Sequence, residues 1–383
     1  MKYLFLVLKN ARRNRRRTVL TLLSVMVAVF GFCSLRSVIV TFQASVDSGS
    51  ATRMVVIRST SIMFTLQKSQ EEIIRQTPGV TGISIGSYFG GIYKDPSNYF
   101  AQYAIDAESY LRLYPEMLLE PGERAAFLAD RTGAIVGDGL ARRYGFKVGD
   151  RIVLQVGIPL YGTQDFTFTV RGIYRPAAAG VDDQSMFFHW QYLNERSLMA
   201  DQVGWFVIEL ERPEMAASVA EAIDRRFANT PYETRTESEK AFATEMVSML
   251  GNIGLLIGGI LAAVIVTTLF VAGNTMAMSV RERTLEIAVM RTLGFRAAAI
   301  FLLVAGEAAL MALVGGALGA GLAWLLFTVV SVPLPVMGPG LVVGAGDVLV
   351  ALLLSVGIGV GAGLIPASMA ARLKVVDALR RVA

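Results

Sequence analysis

The sequence predicts a membrane protein with four transmembrane α-helices, one N-terminal and three C-terminal, and a large α+β extracytoplasmic domain inserted between the first and second. Three observations carry this expectation. The chain of 383 residues is 54% hydrophobic, well above the apolar share of ordinary soluble domains. Its apolar residues concentrate in four stretches, near 18–40, 252–273, 298–330 and 347–366, each close to or beyond the roughly 20 residues a helix needs to cross a bilayer core. Its basic residues, which leave a formal charge of +5, cluster beside those stretches instead of spreading over a soluble surface. That placement points to membrane orientation and away from nucleic acid.

The first stretch begins at Thr18, directly after Arg12, Arg13, Arg15, Arg16 and Arg17, and runs uncharged to Arg36, which is expected to snorkel at the outer end. It exceeds the apolar core of a signal peptide, about 7 to 15 residues, and no small-residue cleavage site follows, so it reads as an anchor. Cys33 follows the bulky Phe32, which argues against lipoprotein processing and for a packing role. Short loops rich in Lys and Arg stay in the cytoplasm. The basic N-terminal tail, the connection carrying Arg281, Arg283, Arg291 and Arg296, and the tail carrying Arg372, Lys374, Arg380 and Arg381 therefore all fall on that side. Residues 329–346 contain no basic side chain and suit the outer side.

Residues 42–250, with more acidic than basic side chains, then lie outside the membrane, and at about 200 residues they can enclose a core of their own, divided into two lobes. Alternating apolar and polar residues over 54–58, 151–156, 166–174 and 205–210 predict strands, and 67–76 and 212–227 predict helices. The aromatic residues Tyr88, Phe89, Tyr93, Tyr99, Phe100 and Tyr103 are read as core in the first instance and as a contact surface in the second.

The single cysteine and single histidine exclude an internal disulfide and any cysteine- or histidine-rich metal centre, and no metal site is expected. Residues 82–86 spell G-x-S-x-G around Ser84, and Asp165 or Asp182 followed by His189 would complete the chain order of an α/β-hydrolase triad. A nucleophile elbow requires a helix directly after the serine, whereas 87–93 is aromatic and glycine-rich. An ordinary strand or turn is expected there, with His189 as a hydrogen-bonded core residue.

Between the second and third stretches, Leu285, Val289 and Leu293 recur at four-residue steps, an apolar stripe on a helix whose charged residues Glu282, Arg283 and Glu286 fall largely elsewhere. Gly294 supplies a stop. Residues 279–287 read Ser-Val-Arg-Glu-Arg-Thr-Leu-Glu-Ile and continue to Arg291 and a Leu-Gly pair. This wording resembles the signature of FtsX-like permeases of ABC transporters, the group that includes MacB and LolC. The basic run into the first stretch over 8–23 and the closing segment 366–380 are similar to the same family, while 133–150 and 168–174 resemble MacB-like periplasmic core domains. Ala288 replaces a usual glycine and Val375 a frequent proline, which leaves the subfamily open.

The resemblance implies three regions: 1–41, a basic tail and helix 1; 42–250, the extracytoplasmic domain; and 251–383, the permease domain. It also implies a coupling helix near 279–294 that docks on a separate cytoplasmic ABC ATPase through Ser279, Glu282, Arg283, Leu285, Glu286, Val289, Arg291 and Gly294. No G-x-x-x-x-G-K-[ST] phosphate loop occurs here, so the chain is expected to bind no cofactor and to be non-catalytic, with ATP and Mg held by the partner ATPase. A second permease copy, identical or related, and a periplasmic adaptor or lipoprotein carrier are implied as further partners, in an inner membrane with both termini cytoplasmic. Glu307 interrupts the third stretch and is a functional candidate by depth alone, with a hydrogen-bonded place inside the bundle as the alternative. Gly315, Gly319, Gly357 and Gly361 are candidates for close helix packing, beside Gly359 and Gly363. The function so implied is mechanical: ATP-driven movement passed to the outer domain for lipoprotein or lipid extraction, or for efflux. A membrane-anchored enzyme, or a scaffold or sensor, is the alternative.

Overall fold

A computed structural model describes residues 15–47, 49–96, 98–178, 181–249, 253–329 and 343–373. The tail before residue 15, the last part of the closing segment and most of 329–346 lie outside the described residues. Those described fall into two compact units, one within 40–251 and the other before 40 and after 252.

The chain enters through helix α1 (Arg15–Asp47). The outer unit follows in the order β1 (Arg53–Arg58), β2 (Leu66–Gln67), α2 (Gln70–Arg75), β3 (Val80–Tyr88), β4 (Gln102–Ile105), α3 (Ala107–Leu113), β5 (Met117–Leu118), α4 (Pro121–Ala129), β6 (Gly133–Gly137), α5 (Asp138–Tyr144), β7 (Arg151–Leu154), β8 (Phe166–Pro176), β9 (Met186–His189), α6 (Trp190–Arg196), β10 (Gln202–Val203), β11 (Trp205–Leu210), α7 (Ala216–Phe227), β12 (Thr234–Ser238) and α8 (Glu239–Met249). The membrane-type unit is completed by α9 (Ile253–Glu282), α10 (Thr284–Thr292), α11 (Ala297–Trp324), which ends in a π-helical turn, and α12 (Ala345–Ala371).

Among the described residues of the outer unit, ten strands form one sheet in the order β12-β1-β11-β3-β4-β9-β6-β8-β5, with β7 also on β8. Pairing is antiparallel except for β4 with β9 and β6 with β8. The alternation of β8 is the plainest case: Phe166, Phe168 and Val170 are buried while Thr167, Thr169 and Arg171 are half-exposed, because successive side chains of a strand face opposite sides. Past a register shift after Val170, Tyr174 is buried against Phe187 in a second cluster. The face of Phe166 and Phe168 meets Phe89 and Phe188, with Phe89–Phe166 centroids at 4.9 Å and Phe168–Phe188 at 4.6 Å. Tyr93, Phe100, Tyr144 and Phe146 pack edge to face beside them. Of the aromatic residues noted over 88–103, Phe89 and Phe100 are buried in the core and Tyr93 and Tyr103 pack against it, while Tyr88 and Tyr99 are half-buried and share a hydroxyl hydrogen bond at 2.9 Å.

The helix expected over 67–76 begins only at Gln70, because Leu66 and Gln67 pair with β10. The helix expected over 212–227 starts at Ala216, after a 3₁₀ turn at Pro213–Met215. Proline fixes φ and lacks the N–H of a helix interior, so it sits where the chain turns into the helix.

Four helices of the other unit are long and apolar enough to cross a membrane, over Thr18–Thr41, Gly254–Glu282, Ala297–Phe327 and Ala345–Ala371. The second and fourth run past the C-terminal bounds expected from their apolar stretches. Helix α12 continues through Pro366 to Ala371, and α9 continues nine residues beyond 273 to Glu282.

Candidate functional site

Close helix packing in this unit is built on glycine. A Cβ at Gly319 would overlap the Met26 carbonyl of α1 and lie 3.0 Å from the Phe30 nitrogen, and one at Gly315 would lie 3.0 Å from the Leu22 carbonyl. Gly359 and Gly363 bring α12 equally close to Ala308, Ala309 and Ala305 of α11. Gly361 faces Leu269 of α9 at 3.1 Å, whereas nothing lies within 4 Å of Gly357. Cys33 is buried in α1.

Two ion pairs lock this bundle at separate levels. Arg36 of α1 donates from Nε to Asp347 Oδ1 of α12 at 2.6 Å, in place of the free snorkelling expected of it. Asp347 Oδ2 in turn accepts from the Gly344 backbone N–H at 3.1 Å, closing the first turn of α12. The second pair is Arg283 Nη1 with Glu307 Oε2, at 2.9 Å. Glu307 is 2% exposed, and a carboxylate so buried requires a partner. An apolar cluster of Val280, Ile287, Ile300, Val304, Ala367 and Ala370 draws α9 to α12 together beside this pair.

The segment 279–294 is not the single helix expected. Ser279 and Glu282 belong to the last turn of α9, Arg283 leaves helical geometry at φ −107 and ψ 17, and α10 starts afresh at Thr284. Thr284 Oγ1 donates to the Arg281 carbonyl at 2.8 Å, a local bond that competes with helix continuation. Gly294 takes the left-handed conformation at φ +91 that ends α10. The candidate residues then divide by side. Ser279, Ile287 and Ala288 are buried; Arg283 turns inward to Glu307 and reaches Glu286 Oε2 at 3.3 Å; and Arg291 donates to the Ala371 carbonyl at the end of α12. Leu285, Val289 and Leu293 are 46%, 49% and 72% exposed, with Glu282 exposed one turn before them. The short helix thus holds its inner face with charged and apolar ties and leaves an apolar stripe uncovered.

The features that suggested an enzyme are structural. Ser84 lies mid-strand in β3, is 1% exposed and accepts a hydrogen bond from Ser109 Oγ at 2.8 Å. No helix follows it directly, since β3 runs on to Tyr88. His189 is buried, with Nε2 2.8 Å from the Phe127 carbonyl, and burial lowers its pKa despite Asp106 and Asp130 nearby.

Its sequence is matched by two family descriptions: MacB-like periplasmic core domain over residues 18–226 and FtsX-like permease C-terminal over residues 258–375. The chain belongs to the MacB/FtsX-like family of ABC transporter permeases. An uncharacterized ABC transporter permease of Methanocaldococcus jannaschii is 24% identical over 97% of this permease and 96% of its own length. The uncharacterized permease YvrN of Bacillus subtilis is 35% identical, over 36% of this chain and 33% of its own. The macrolide export ATP-binding/permease protein MacB of Bdellovibrio bacteriovorus is 30% identical, over 44% of this chain and 26% of its own. This permease therefore spans about a third or less of the latter two relatives. The periplasmic region of MacB from Actinobacillus actinomycetemcomitans aligns over 54% of this chain and 96% of that one, with 8% identity and a TM-score of 0.37.

One prediction follows from the buried imidazole. The folded permease resists a proton that the unfolded chain accepts near 6.5, so the unfolded state binds more protons below that value and stability falls with pH from there. Asp182 and Glu237, whose pKa values burial raises, contribute with the opposite sign, and the variant isolates the histidine. His189→Gln is expected to flatten the fall in thermal stability between about pH 6.5 and 5.5, followed by tryptophan fluorescence. Parallel profiles for the two proteins would show that the ring carries no such linkage.

Proposed function

We propose that this permease couples ATP hydrolysis by a separate cytoplasmic ATPase to movement of its extracytoplasmic domain, driving lipoprotein or lipid extraction or the efflux of a substrate. The observation that carries the reading is α10: a short helix flanked by arginines, tied to α11 and α12 on one face, with Leu285, Val289 and Leu293 exposed on the other. Apolar side chains in that position suit a partner groove, and the neighbouring Glu282 and Glu286 suit a polar rim. ATP and Mg belong to the partner. By the positive-inside rule the arginine-rich ends favour a cytoplasmic α10 and cytoplasmic termini, and on this reading the chain sits in an inner membrane with the sheet domain in the periplasm. A second permease copy completes the transporter, and a periplasmic adaptor or lipoprotein carrier receives the output. The buried Ser84 removes the feature on which the anchored-enzyme alternative stood.

The test is co-purification in mild detergent of the wild type and of Leu285→Asp/Val289→Asp, both changes being on exposed positions. A P-loop ATPase that hydrolyses ATP in the eluate is expected with the wild type and reduced at least about tenfold with the variant, as for loss of two central apolar anchors. Equal recovery of the ATPase with both forms would end the reading.

A further inference from the structure

The elbow between α9 and α10 holds a charged residue of the signature that points inward, to Glu307 of α11. Arg283 is the residue at which helical geometry breaks, its backbone N–H reaching the Ser279 and Val280 carbonyls at 3.2 Å while its own carbonyl accepts from Ile287 at 3.0 Å. Its side chain is 15% exposed, that of Glu307 3%. The second oxygen of Glu307, Oε1, has no hydrogen-bond partner and borders a cavity of about 10 Å³ between Met276, Ser279 and Val280. Arg283 also holds Glu286 on the first turn of α10. One guanidinium therefore contacts both the third helix of the bundle and the start of the exposed helix.

We propose that Arg283 and Glu307 are positioning residues that join the α9–α10 elbow to α11, so that a displacement imposed on α10 carries α11 with it instead of bending the elbow. The inference rests on α10 being the coupling helix, and it adds how the force leaves that helix. Three features support it. A buried carboxylate and guanidinium at 2.9 Å form a strong directional tie because so little water competes with them. The break at Arg283 is where the chain is otherwise able to bend, since Leu285, Val289 and Leu293 beyond it are largely exposed. Arg291, bonded to the Ala371 carbonyl, binds the far end of α10 to α12, and the Arg283–Glu307 pair binds the near end to α11.

The experiment uses the full chain in lipid nanodiscs with Cys33→Ala, which removes the single native thiol, and nitroxides at Met278→Cys in α9 and Leu302→Cys in α11, two exposed positions. Pulsed electron resonance is expected to give one narrow distance for the parent and a distribution at least about twice as broad for Glu307→Gln and Arg283→Gln. Arg283→Lys, which keeps the charge, is expected to restore the narrow distribution, an outcome that mere side-chain packing would not produce. Arg283→Met/Glu307→Met guards against misfolding, because it leaves no charge buried alone; it too is expected to broaden the distance. An unchanged width in Glu307→Gln and in the double methionine variant would overturn the proposal. ATPase recovery separates the two claims: if Leu285→Asp/Val289→Asp retains the ATPase, the coupling reading fails, whereas the distance widths still decide the elbow.

Discussion

Gly319→Leu is expected to take the permease from a folded bundle to one that no longer seats α1 against α11. Small residues at helix crossings let two backbones approach, and in a membrane that packing is the main force between helices. At Gly319 the neighbour is backbone, the Met26 carbonyl and the Phe30 nitrogen at 3.0 Å from a Cβ, so no side-chain rotation relieves the overlap and α1 must move outward. The expected cost is roughly 3 kcal/mol, the upper part of the range for overpacking a close-packed site. Gly357→Leu is the internal comparison, since nothing lies within 4 Å of its Cβ, and it should leave the single chain near the wild-type value. Unfolding in mild detergent, followed by tryptophan fluorescence, checks both. Equal stability of the Gly319 and Gly357 variants would mean that α1 is not packed as described.

Those two glycines also mark how far sequence reasoning reached. Both stood in the same small-residue pattern, because spacing reports which residues share a helix face and not which partner that face meets. Gly315 and Gly319 meet α1, while Gly357 meets nothing within the described residues. The four long helices were legible because length and apolarity alone define them, and β8 was legible because one face is buried and the other wet, giving strict alternation. Strands β6 and β9 left no such mark. Every residue of Gly133–Gly137 and Met186–His189 is buried, and a short run buried on both faces has no period to read. The ion pairs were hidden for another reason: Arg36 and Asp347 are 311 positions apart, and pairing over that distance depends on helix packing. An available sign was Asp347 itself, an acid in the first turn of an apolar helix, where it complements the helix dipole. In the signature, Arg283 looked like its neighbours, yet the structure turns it inward where Leu285 and Glu282 turn out. A helical wheel drawn through 279–294 could not show this, because the helix breaks at that residue.

Arg53→Met is expected to destabilise the outer unit by about 3 to 5 kcal/mol, the range for removing one member of a buried ion cluster. Arg53 lies in β1 with its side chain 8% exposed, bonded from Nη2 to Glu116 Oε1 at 2.5 Å and from Nε to Glu239 Oε2 at 2.9 Å. Its guanidinium also stacks 4.2 Å from the centre of the Tyr114 ring, whose hydroxyl donates to the other oxygen of Glu239 at 2.9 Å. Methionine keeps the volume but leaves two carboxylates, 21% and 18% exposed, without their cation. The position gives the loss a second consequence. Glu239 begins α8, the segment that leads to α9, and it also accepts from the Ser50 backbone N–H at 2.9 Å, so one carboxylate holds the chain where it enters this unit and where it leaves. The nearby Lys240–Asp47 pair at 2.9 Å is exposed, 59% and 72%, and an exposed pair adds little. Arg53→Met should therefore raise proteolytic cleavage on both sides, around residues 47–52 and 239–249, whereas Lys240→Ala should leave both sites protected. A double-mutant cycle of Arg53→Met with Glu239→Gln should give a coupling of at least about 1 kcal/mol, as groups within one network are not additive. Additive losses, or cleavage confined to one end, would show that Glu239 does not clasp the two ends through Arg53.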